Sequence, residues 1–303
     1  MSKFTISEKL TIGVASYGNI KTTEICVNKI LESIEGNFEL ILVEDFSHER
    51  DEIINFYQSI KKRIPNTKIF NFDRNLTYTN SVNCILSHAT GKKVLFVSND
   101  VFINPYYIEE ILKISNLSKK IGVVRGVTNY VDNGGLKTHN VKIEGNPKSI
   151  THEDVMITAK KYFKTYSGKY LEDKYLTGDI FLVNREILDN VGFYDTNTFT
   201  GYFSDHDFSS RVISNGYLCV LAQGAFAFHH QDINFNYLED PKKLQNKKVQ
   251  RFEQVFENWA RFKIKYSLPN DLNYKGINNI PWEKTFEKKT KYIDRVDYSK
   301  YLQ

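Results

Sequence analysis

The chain has 303 residues, 41% of them hydrophobic and 25% charged, which are proportions of a folded protein and argue against a disordered or fibrous chain. Its net charge of +5 is uneven, because residues 241–303 carry fifteen Lys or Arg and seven Asp or Glu, a net +8 that leaves −3 for residues 1–240. A nucleic-acid reader usually has its basic face on the folded module itself, so this distribution argues against a nucleic-acid partner.

The sequence also lacks the usual signals for membrane insertion, export and disulfide formation. No apolar run approaches the roughly 20 residues that cross a bilayer, and Met1–Leu10 has no signal-peptide core. The cysteines, Cys26, Cys84 and Cys219, are odd in number and form no CxxC pair. We therefore expect a cytoplasmic protein with buried free thiols.

The first 130 residues alternate short aliphatic runs with segments of helical period. A strand, helix, strand order of this kind predicts an α/β protein with a mostly parallel sheet and crossover helices. The predicted strands are Leu10–Ala15, Phe38–Val43, Lys68–Phe70 and Lys93–Val97, and the predicted helices are Thr22–Ser33, Asp51–Arg63 and Asn80–His88.

The second half has a less regular pattern. Residues 129–148 are turn-rich and predict a mobile loop or hairpin, and we find no readable signature up to Tyr170. Further strands are predicted at Ile121–Val124, Asp179–Val183, Tyr217–Leu221 and Ala225–Phe228, and helices at Arg185–Asn190, Phe203–Asn215 capped by Ser204, and Lys243–Tyr266.

Polar and acidic residues follow four of the predicted strands. Ligands of such sheets bind beyond the carboxyl ends of the strands, so these residues are candidates for a binding site rather than helix caps alone. They are Ser16-Tyr17-Gly18, Glu44-Asp45, Asp73-Arg74-Asn75 and Ser98-Asn99-Asp100.

Two further groups of residues are candidates for metal binding and for a general base at this edge. Asp100 can supply one ligand to a divalent cation, and His229 or His230 another if their strand returns to the same edge. Asp205 lies in the first turn of a predicted helix, where the helix dipole favours the ionised carboxylate that a general base requires. Asp207 has a supporting role, because Arg211 at i+4 can hold it in an ion pair.

In this order and at these spacings, the residues resemble glycosyltransferase family 2, whose members have the GT-A fold. The resemblance runs from about Leu10 to Phe235, through segments at Leu10–Tyr17, Leu42–Ser47, Asn75–Asn83, Ser98–Asp100, Gly178–Asp195, Ser204–Arg211 and His229–His230. It implies nucleotide contacts by Ser16, Tyr17, Asp45, Asn75, Asn83, Ser98 and Asn99, acceptor or sugar contacts by Gly178, Asp179 and Asp207, a base at Asp205, and a metal at Asp100 with His229 or His230.

The resemblance implies an activity, a cofactor and a domain division. The activity is inverting, Mn²⁺- or Mg²⁺-dependent transfer of one sugar from a nucleotide diphosphate sugar to a hydroxyl of a glycan, lipid-linked or protein acceptor. The implied setting is bacterial-type cell-surface polysaccharide or glycoconjugate synthesis. Residues 1–235 form the catalytic domain, with a nucleotide-binding half (about 1–125) and an acceptor-binding half (about 126–235), and residues 236–303 form a C-terminal helix and basic tail.

Three departures from the family pattern keep alternatives open. Ser98 stands for the first Asp of Asp-x-Asp, Ser204 for the Glu before the base, and Thr77 for the Gly of Asn-x-Gly. A weakened family member acting as a scaffold is one alternative. A sugar-phosphate nucleotidyltransferase is less favoured, because the loop after the first strand has one glycine and no arginine.

The basic arm also has two readings. It can strengthen peripheral attachment to the inner face of an anionic membrane, or it can pack on the body or at a homo-oligomer interface. The sequence leaves both open.

Overall fold

The computed structural model describes residues 3–130, 139–144, 150–174, 178–230, 241–274 and 291–302, with the backbone alone for 241–248. Within these residues, a central sheet flanked by helices confirms the predicted α/β class. Its strands are β1 (Phe4–Ser16), β2 (Ile34–Glu44), β3 (Thr67–Asn71), β4 (Lys93–Ser98), β5 (Val101–Phe102), β6 (Ile121–Thr128), β7 (Tyr170–Asp173), β8 (Ile180–Asn184) and β9 (Leu218–His229).

The strands are ordered β3-β2-β1-β4-β8-β6-β9-β5, and β7 pairs with β9. The pairs among β1 to β4 are parallel, as is β6 with β9. β8 runs antiparallel to both of its neighbours, and β5 and β7 run antiparallel to β9. The sheet is therefore parallel in its N-terminal half and mixed beyond it.

The helices cover both faces of this sheet. They are α1 (Ile20–Ser33), α2 (Arg50–Arg63), α3 (Thr77–His88), α4 (Pro105–Ser115), α5 (His152–Tyr166), α6 (Leu188–Val191), α7 (Ser204–Ser214) and α8 (Pro241–Tyr266). Helices α1, α2 and α4 pack in the core on one face, and α3, α6 and α7 in the core on the other. All three cysteines are buried free thiols, as expected.

Four details differ from the sequence prediction. Helix α4 was not predicted, and α5 lies in the stretch up to Tyr170 for which no signature was found, although Thr151 and Asp154 form a capping box at its start. The two strands predicted around residues 217–228 are one strand, β9, with a register shift. Ser204 does not cap α7, because its hydroxyl donates back to the carbonyl of Gly201.

The C-terminal region packs on the body through two segments. Trp259, Phe262 and Tyr266 of α8 form an apolar cluster with Phe199 and Phe203. Residues 291–302 return to the sheet edge near β3, where Tyr298 is buried. Residues 291–302 thus pack on the body, which is one of the two possibilities that the sequence left open, while Lys291 itself is exposed. The neighbouring lysines of the basic stretch, 284, 288 and 289, lie outside the described residues. None of the helices in the described ranges combines the length and apolar character that a bilayer crossing needs.

Candidate functional site

Several of the predicted site residues lie where β1, β2 and β4 end. The backbone N–H of Asp45 donates to the carbonyl of Ser16 at 3.0 Å. The side-chain amide of Asn99 donates to the Gly18 carbonyl at 3.0 Å and to the Thr23 hydroxyl at 2.9 Å. These bonds fix the loop after β1 against the ends of its two neighbours.

Asp45 and its neighbour Glu44 are both buried carboxyl groups of this edge, and Asp45 is the one predicted to contact the nucleotide. It is 4% exposed, and one carboxyl oxygen accepts the N–H of Leu76 at 2.6 Å. Burial, with a smaller contribution from the charge of Glu44, raises the pKa of Asp45 to about 7. Glu44 accepts the N–H groups of Phe46 at 2.8 Å and Ser47 at 2.9 Å, which supports the left-handed conformation of Phe46 (φ 57).

The strand pairing of β5 with β9 brings the predicted metal residues together. Val101 lies opposite His229, so the imidazole of His229 stands between two carboxylates. Its Nε2 is 3.4 Å from Oδ2 of Asp100, and its Nδ1 is 3.3 Å from Oδ2 of Asp179. Burial alone would favour the neutral imidazole, but the carboxylates of Asp100 and Asp179 outweigh it and raise the pKa of His229 to about 10.

His230 faces elsewhere. Its ring contacts the rings of Phe102 and Phe228, with centroids 6.2 Å and 6.0 Å away. Of the two histidines, His229 therefore carries the contact with the acidic pair.

A buried arginine holds Asp179 in place. Arg125 of β6 is fully buried, and its Nη2 lies 2.7 Å from each carboxylate oxygen of Asp179. Burial opposes ionisation of Asp179, but the Arg125 guanidinium and His229 hold its pKa well below the ordinary range. We missed Arg125 in the sequence; an arginine inside an otherwise apolar strand signals a buried anionic partner.

Asp205 lies beside the same loop. Its Oδ2 accepts the N–H of Gly178 at 3.1 Å, and its Oδ1 accepts the N–H of His206 at 2.9 Å. The hydroxyl of Tyr78 donates to the Gly178 carbonyl at 2.6 Å. Because Gly178 precedes Asp179, this loop joins the predicted base to the predicted metal residues.

Two residues with predicted ligand contacts, Asp207 and Asn83, have buried side chains that bond within the protein. Asp207 is fully buried, and its carboxylate binds Nε of Arg211 at 3.1 Å, the hydroxyl of Tyr266 at 2.7 Å and Nζ of Lys265. The expected ion pair with Arg211 is present, but Asp207 anchors α8 rather than facing an acceptor.

Asn83 has an internal role of the same kind. It is buried, and its side-chain amide donates to the carbonyl of Tyr194 at 2.7 Å and accepts the Tyr194 N–H at 2.8 Å. This pair of bonds ties α3 to the loop that contains Tyr194, so the side chain of Asn83 is used inside the fold. The Ser16 hydroxyl is likewise used inside the fold, donating to the Val43 carbonyl at 3.1 Å and accepting from Tyr57 at 2.9 Å.

The remaining predicted nucleotide residues lie at or shortly after the ends of β1, β3 and β4. Tyr17 is 45% exposed, and Asn75 is exposed and accepts the N–H of Thr77 at 3.0 Å. Ser98 is half-buried, and its N–H donates to the Asp179 carbonyl at 2.9 Å.

Helix α8 adds a cation that the sequence reading overlooked. The guanidinium of Arg251 lies 5.9 Å from the ring centre of Tyr202. Burial lowers the pKa of Arg251, while the nearby charges of Tyr130 and Asp100 act in the opposite direction. Arg251 is therefore close enough to Asp100 to interact with its charge.

The residues around Asp100 fit a metal site of few protein ligands. In the described ranges no three or more His, Cys, Asp or Glu side chains form a metal cage, and Asp179 is already engaged by Arg125. The carboxylate of Asp100 and the imidazole of His229 remain, and Mg²⁺ and Mn²⁺ are commonly held by one or two protein ligands together with phosphate oxygens and water.

The fold and its acidic edge define an α/β protein of the GT-A type. The chain belongs to glycosyl transferase family 2, because the model of that family, "Glycosyl transferase family 2", matches residues 11–192. An uncharacterised protein of Sinorhizobium fredii, y4gI, is 24% identical over 238 residues, which are 77% of this chain but 26% of that protein. The chain thus spans about a quarter of this relative.

Solved structures share the fold at low identity. The mannosyltransferase PcManGT of Pyrobaculum calidifontis, in complex with GDP-Man and Mn²⁺, has a TM-score of 0.57 at 13% identity, covering 92% of this chain and 72% of that one. GalNAc-T7 with UDP, GalNAc and Mn²⁺ has a TM-score of 0.56 at 12% identity, covering 73% of this chain and 44% of that one. S. aureus TarS 1-349 has a TM-score of 0.51 at 13% identity, covering 88% and 76%.

Proposed function

We propose that this chain is a divalent-metal-dependent, inverting glycosyltransferase that moves one sugar from a nucleotide diphosphate sugar to an acceptor hydroxyl. The observation that carries the proposal is the Gly178–Asp179 loop, which holds Asp205 on one side and His229 with Asp100 on the other. Gly178 contacts the carboxylate that would act on the acceptor, Asp205, and the next residue, Asp179, contacts the imidazole that would help bind the cation, His229. The two groups are thus held by consecutive residues of one loop.

Asp100 and His229 would hold Mn²⁺ or Mg²⁺, which when bound neutralises charge on the donor diphosphate. The fit of these two side chains supports this assignment, as do the Mn²⁺ complexes of the mannosyltransferase and GalNAc-T7. The missing first carboxylate at Ser98 leaves Asp100 as the acidic ligand of that segment.

Asp205 would act on the acceptor. Its carboxylate takes the proton of the acceptor hydroxyl as the new bond forms between that oxygen and the anomeric carbon, while the bond from that carbon to the diphosphate oxygen breaks. Attack from the face opposite the diphosphate inverts the anomeric carbon. The N–H bonds from Gly178 and His206 fix the carboxylate for this role.

Arg125 would keep Asp179 ionised, so that Asp179 orients His229. Asp45 would read the nucleobase, with Tyr17, Asn75, Ser98 and Asn99 lining the donor cleft. The catalytic unit would end near residue 235, and the acceptor would be a glycan, lipid-linked or protein hydroxyl in surface-polysaccharide or glycoconjugate synthesis, at or near the inner face of a membrane.

The test is a thermal-shift panel of nucleotide sugars with and without Mn²⁺, followed by donor-hydrolysis and transfer assays on the ligand that stabilises most. A ligand at 100 times its Kd adds about 2.7 kcal/mol of stability. We expect Asp205→Asn to bind the donor as the wild type does and to transfer it about 10²-fold more slowly. Asp100→Ala should lose the Mn²⁺-dependent part of donor stabilisation.

Asp189→Asn, an exposed substitution on α6, serves as the matched control and should change neither readout. Transfer by Asp205→Asn at the wild-type rate would move the base elsewhere. Donor binding without turnover in the wild type would instead support a scaffold.

A further inference from the structure

The C-terminal segment, residues 291–302, closes onto the body at Gly192. The N–H of Phe193 donates to the carbonyl of Ile293 at 2.9 Å. Gly192 has a positive φ of 74, and any side chain there would collide with the Ile293 carbonyl. The segment is thus seated tightly where it first meets the body.

Its middle is anchored by Tyr298. This residue is 1% exposed, and its ring stacks on Phe72 with centroids 5.8 Å apart. Its hydroxyl donates to the side-chain carbonyl of Asn80 on α3 at 3.1 Å. Tyr298 therefore joins the end of β3 to helix α3.

Its last residues bind the loop that follows β3. The N–H of Asp73 donates to the carbonyl of Tyr301 at 2.9 Å, and Phe72 forms an antiparallel bridge with Leu302. The guanidinium of Arg74 lies over the Tyr301 ring, 5.0 Å from its centre. Three consecutive loop residues are therefore held by the segment.

The same loop sets the surroundings of Asp45. The N–H of Phe72 donates to the Glu44 carbonyl at 3.1 Å, and the N–H of Leu76 donates to the Asp45 carboxyl at 2.6 Å. The charge of Asp45 is also close enough to Tyr298 to contribute to the raised pKa of that phenol, although burial is the main cause. A shift of the loop would move the donors that orient Asp45.

We propose that Tyr298 and Tyr301 are positioning residues for nucleoside binding: they fix loop 72–76, and the loop fixes Asp45. The inference rests on the proposed function, in which the nucleoside of the donor lies at Asp45. It extends the donor site to residues that lie more than 100 positions beyond the family match. It also predicts a selective defect, because Asp100, His229 and Asp205 are held by other elements.

The experiment compares Tyr301→Ala with Tyr292→Ala, a matched control in the same segment whose side chain is 50% exposed. Calorimetry measures the binding of three ligands in separate titrations: UDP, GDP, and inorganic pyrophosphate in the presence of Mn²⁺. Steady-state kinetics then uses the donor that the thermal-shift panel of nucleotide sugars identifies. Tyr301→Ala should weaken nucleoside diphosphate binding and raise KM about tenfold, the scale of one coupled contact. It should leave kcat and pyrophosphate binding unchanged.

Tyr301→Phe keeps the ring that Arg74 covers and should restore wild-type KM, and the control should match the wild type throughout. An equal loss of pyrophosphate and nucleotide binding, or a loss of kcat, would overturn the proposal in favour of a purely structural segment. If Tyr301→Ala does not fold, Tyr298→Phe replaces it, since it keeps the ring and removes only the hydroxyl that bonds to Asn80. Tyr298→Phe should weaken nucleoside diphosphate binding and raise KM about threefold, with kcat and pyrophosphate binding unchanged. A Tyr298→Phe variant without this selective defect would refute the inference.

The failures of the two proposals are distinguishable. A wild type that binds no nucleotide refutes the proposed function together with this inference. A wild type that binds nucleotide while Tyr301→Ala binds it equally well refutes this inference alone.

Discussion

Replacing Asp45 by Asn should stabilise the protein at neutral pH and leave its stability unchanged in acid. The pKa of Asp45 is about 7 in the fold against an ordinary 3.8. Between these values the folded state keeps a proton that the unfolded chain has lost, so this group makes the free energy of unfolding fall as pH rises. Above pH 7 Asp45 is ionised in both states, and the free energy of unfolding is then lowered by the full cost of burying its charge.

The two pKa values differ by about 3 pH units, and each unit is worth about 1.4 kcal/mol. The ionised Asp45 carboxylate therefore lowers the free energy of unfolding by about 4 kcal/mol at pH 7.5. This is an upper value, because the site can relax around the charge in the unliganded protein. Asn keeps an oxygen that can accept the Leu76 N–H and carries no charge. Asp45→Asn should thus be more stable by up to about 4 kcal/mol at pH 7.5 and equal to the wild type near pH 4.

Urea unfolding at pH 4.5, 6.0 and 7.5 measures this difference by linear extrapolation. Asp189→Asn on the surface controls for generic effects of losing a carboxylate. A difference between Asp45→Asn and the wild type that does not change with pH would refute the reasoning. A matching loss of nucleotide binding would explain why a destabilising carboxylate is present at this position.

Two substitutions test the buried ion pairs. Lys265→Met should lower stability by about 3 kcal/mol in urea unfolding, because it removes the cation that binds Asp195 at 2.8 Å and contacts the buried Asp207; an unchanged midpoint would show that α8 is held by its aromatic face alone. Arg125→Met should cost about 3–5 kcal/mol, because it leaves the Asp179 carboxylate without its guanidinium. Adding Asp179→Asn should recover part of that loss in the same assay, and no recovery would contradict the charge argument.

The strands and their polar ends could be predicted because the evidence for them is local. A run such as Phe38–Val43 shows that a strand is buried on both faces, and the residue that follows it must reach the sheet edge. Asp45 and Asp100 were found in this way. Helix α5 was missed although the capping box at Thr151 was available as a signal.

The contacts between distant residues could not be read from local patterns. Arg125 and Asp179 are 54 positions apart, and they meet because β6 and β8 run antiparallel in one sheet. Sequence spacing correctly paired Asp207 with Arg211 but gave no sign that Lys265 and Tyr266 would enclose the same carboxylate. Local spacing also gave no sign of the bonds between Asn83 and Tyr194, which is 111 positions away.

The position of His229 at the end of the last strand, β9, has a consequence for how the molecule comes into being. As the chain leaves the ribosome, the half that contains Asp45 and Asp100 can begin to fold while the later residues are still being made. His229 is translated 129 residues after Asp100, and the contact between them requires β9 to pair with both β6 and β5. Such long-range pairing is slow to form. Nascent chains that stop before residue 229 should therefore lack the Mn²⁺-dependent response that we propose for the Asp100–His229 pair, however well their first half has folded.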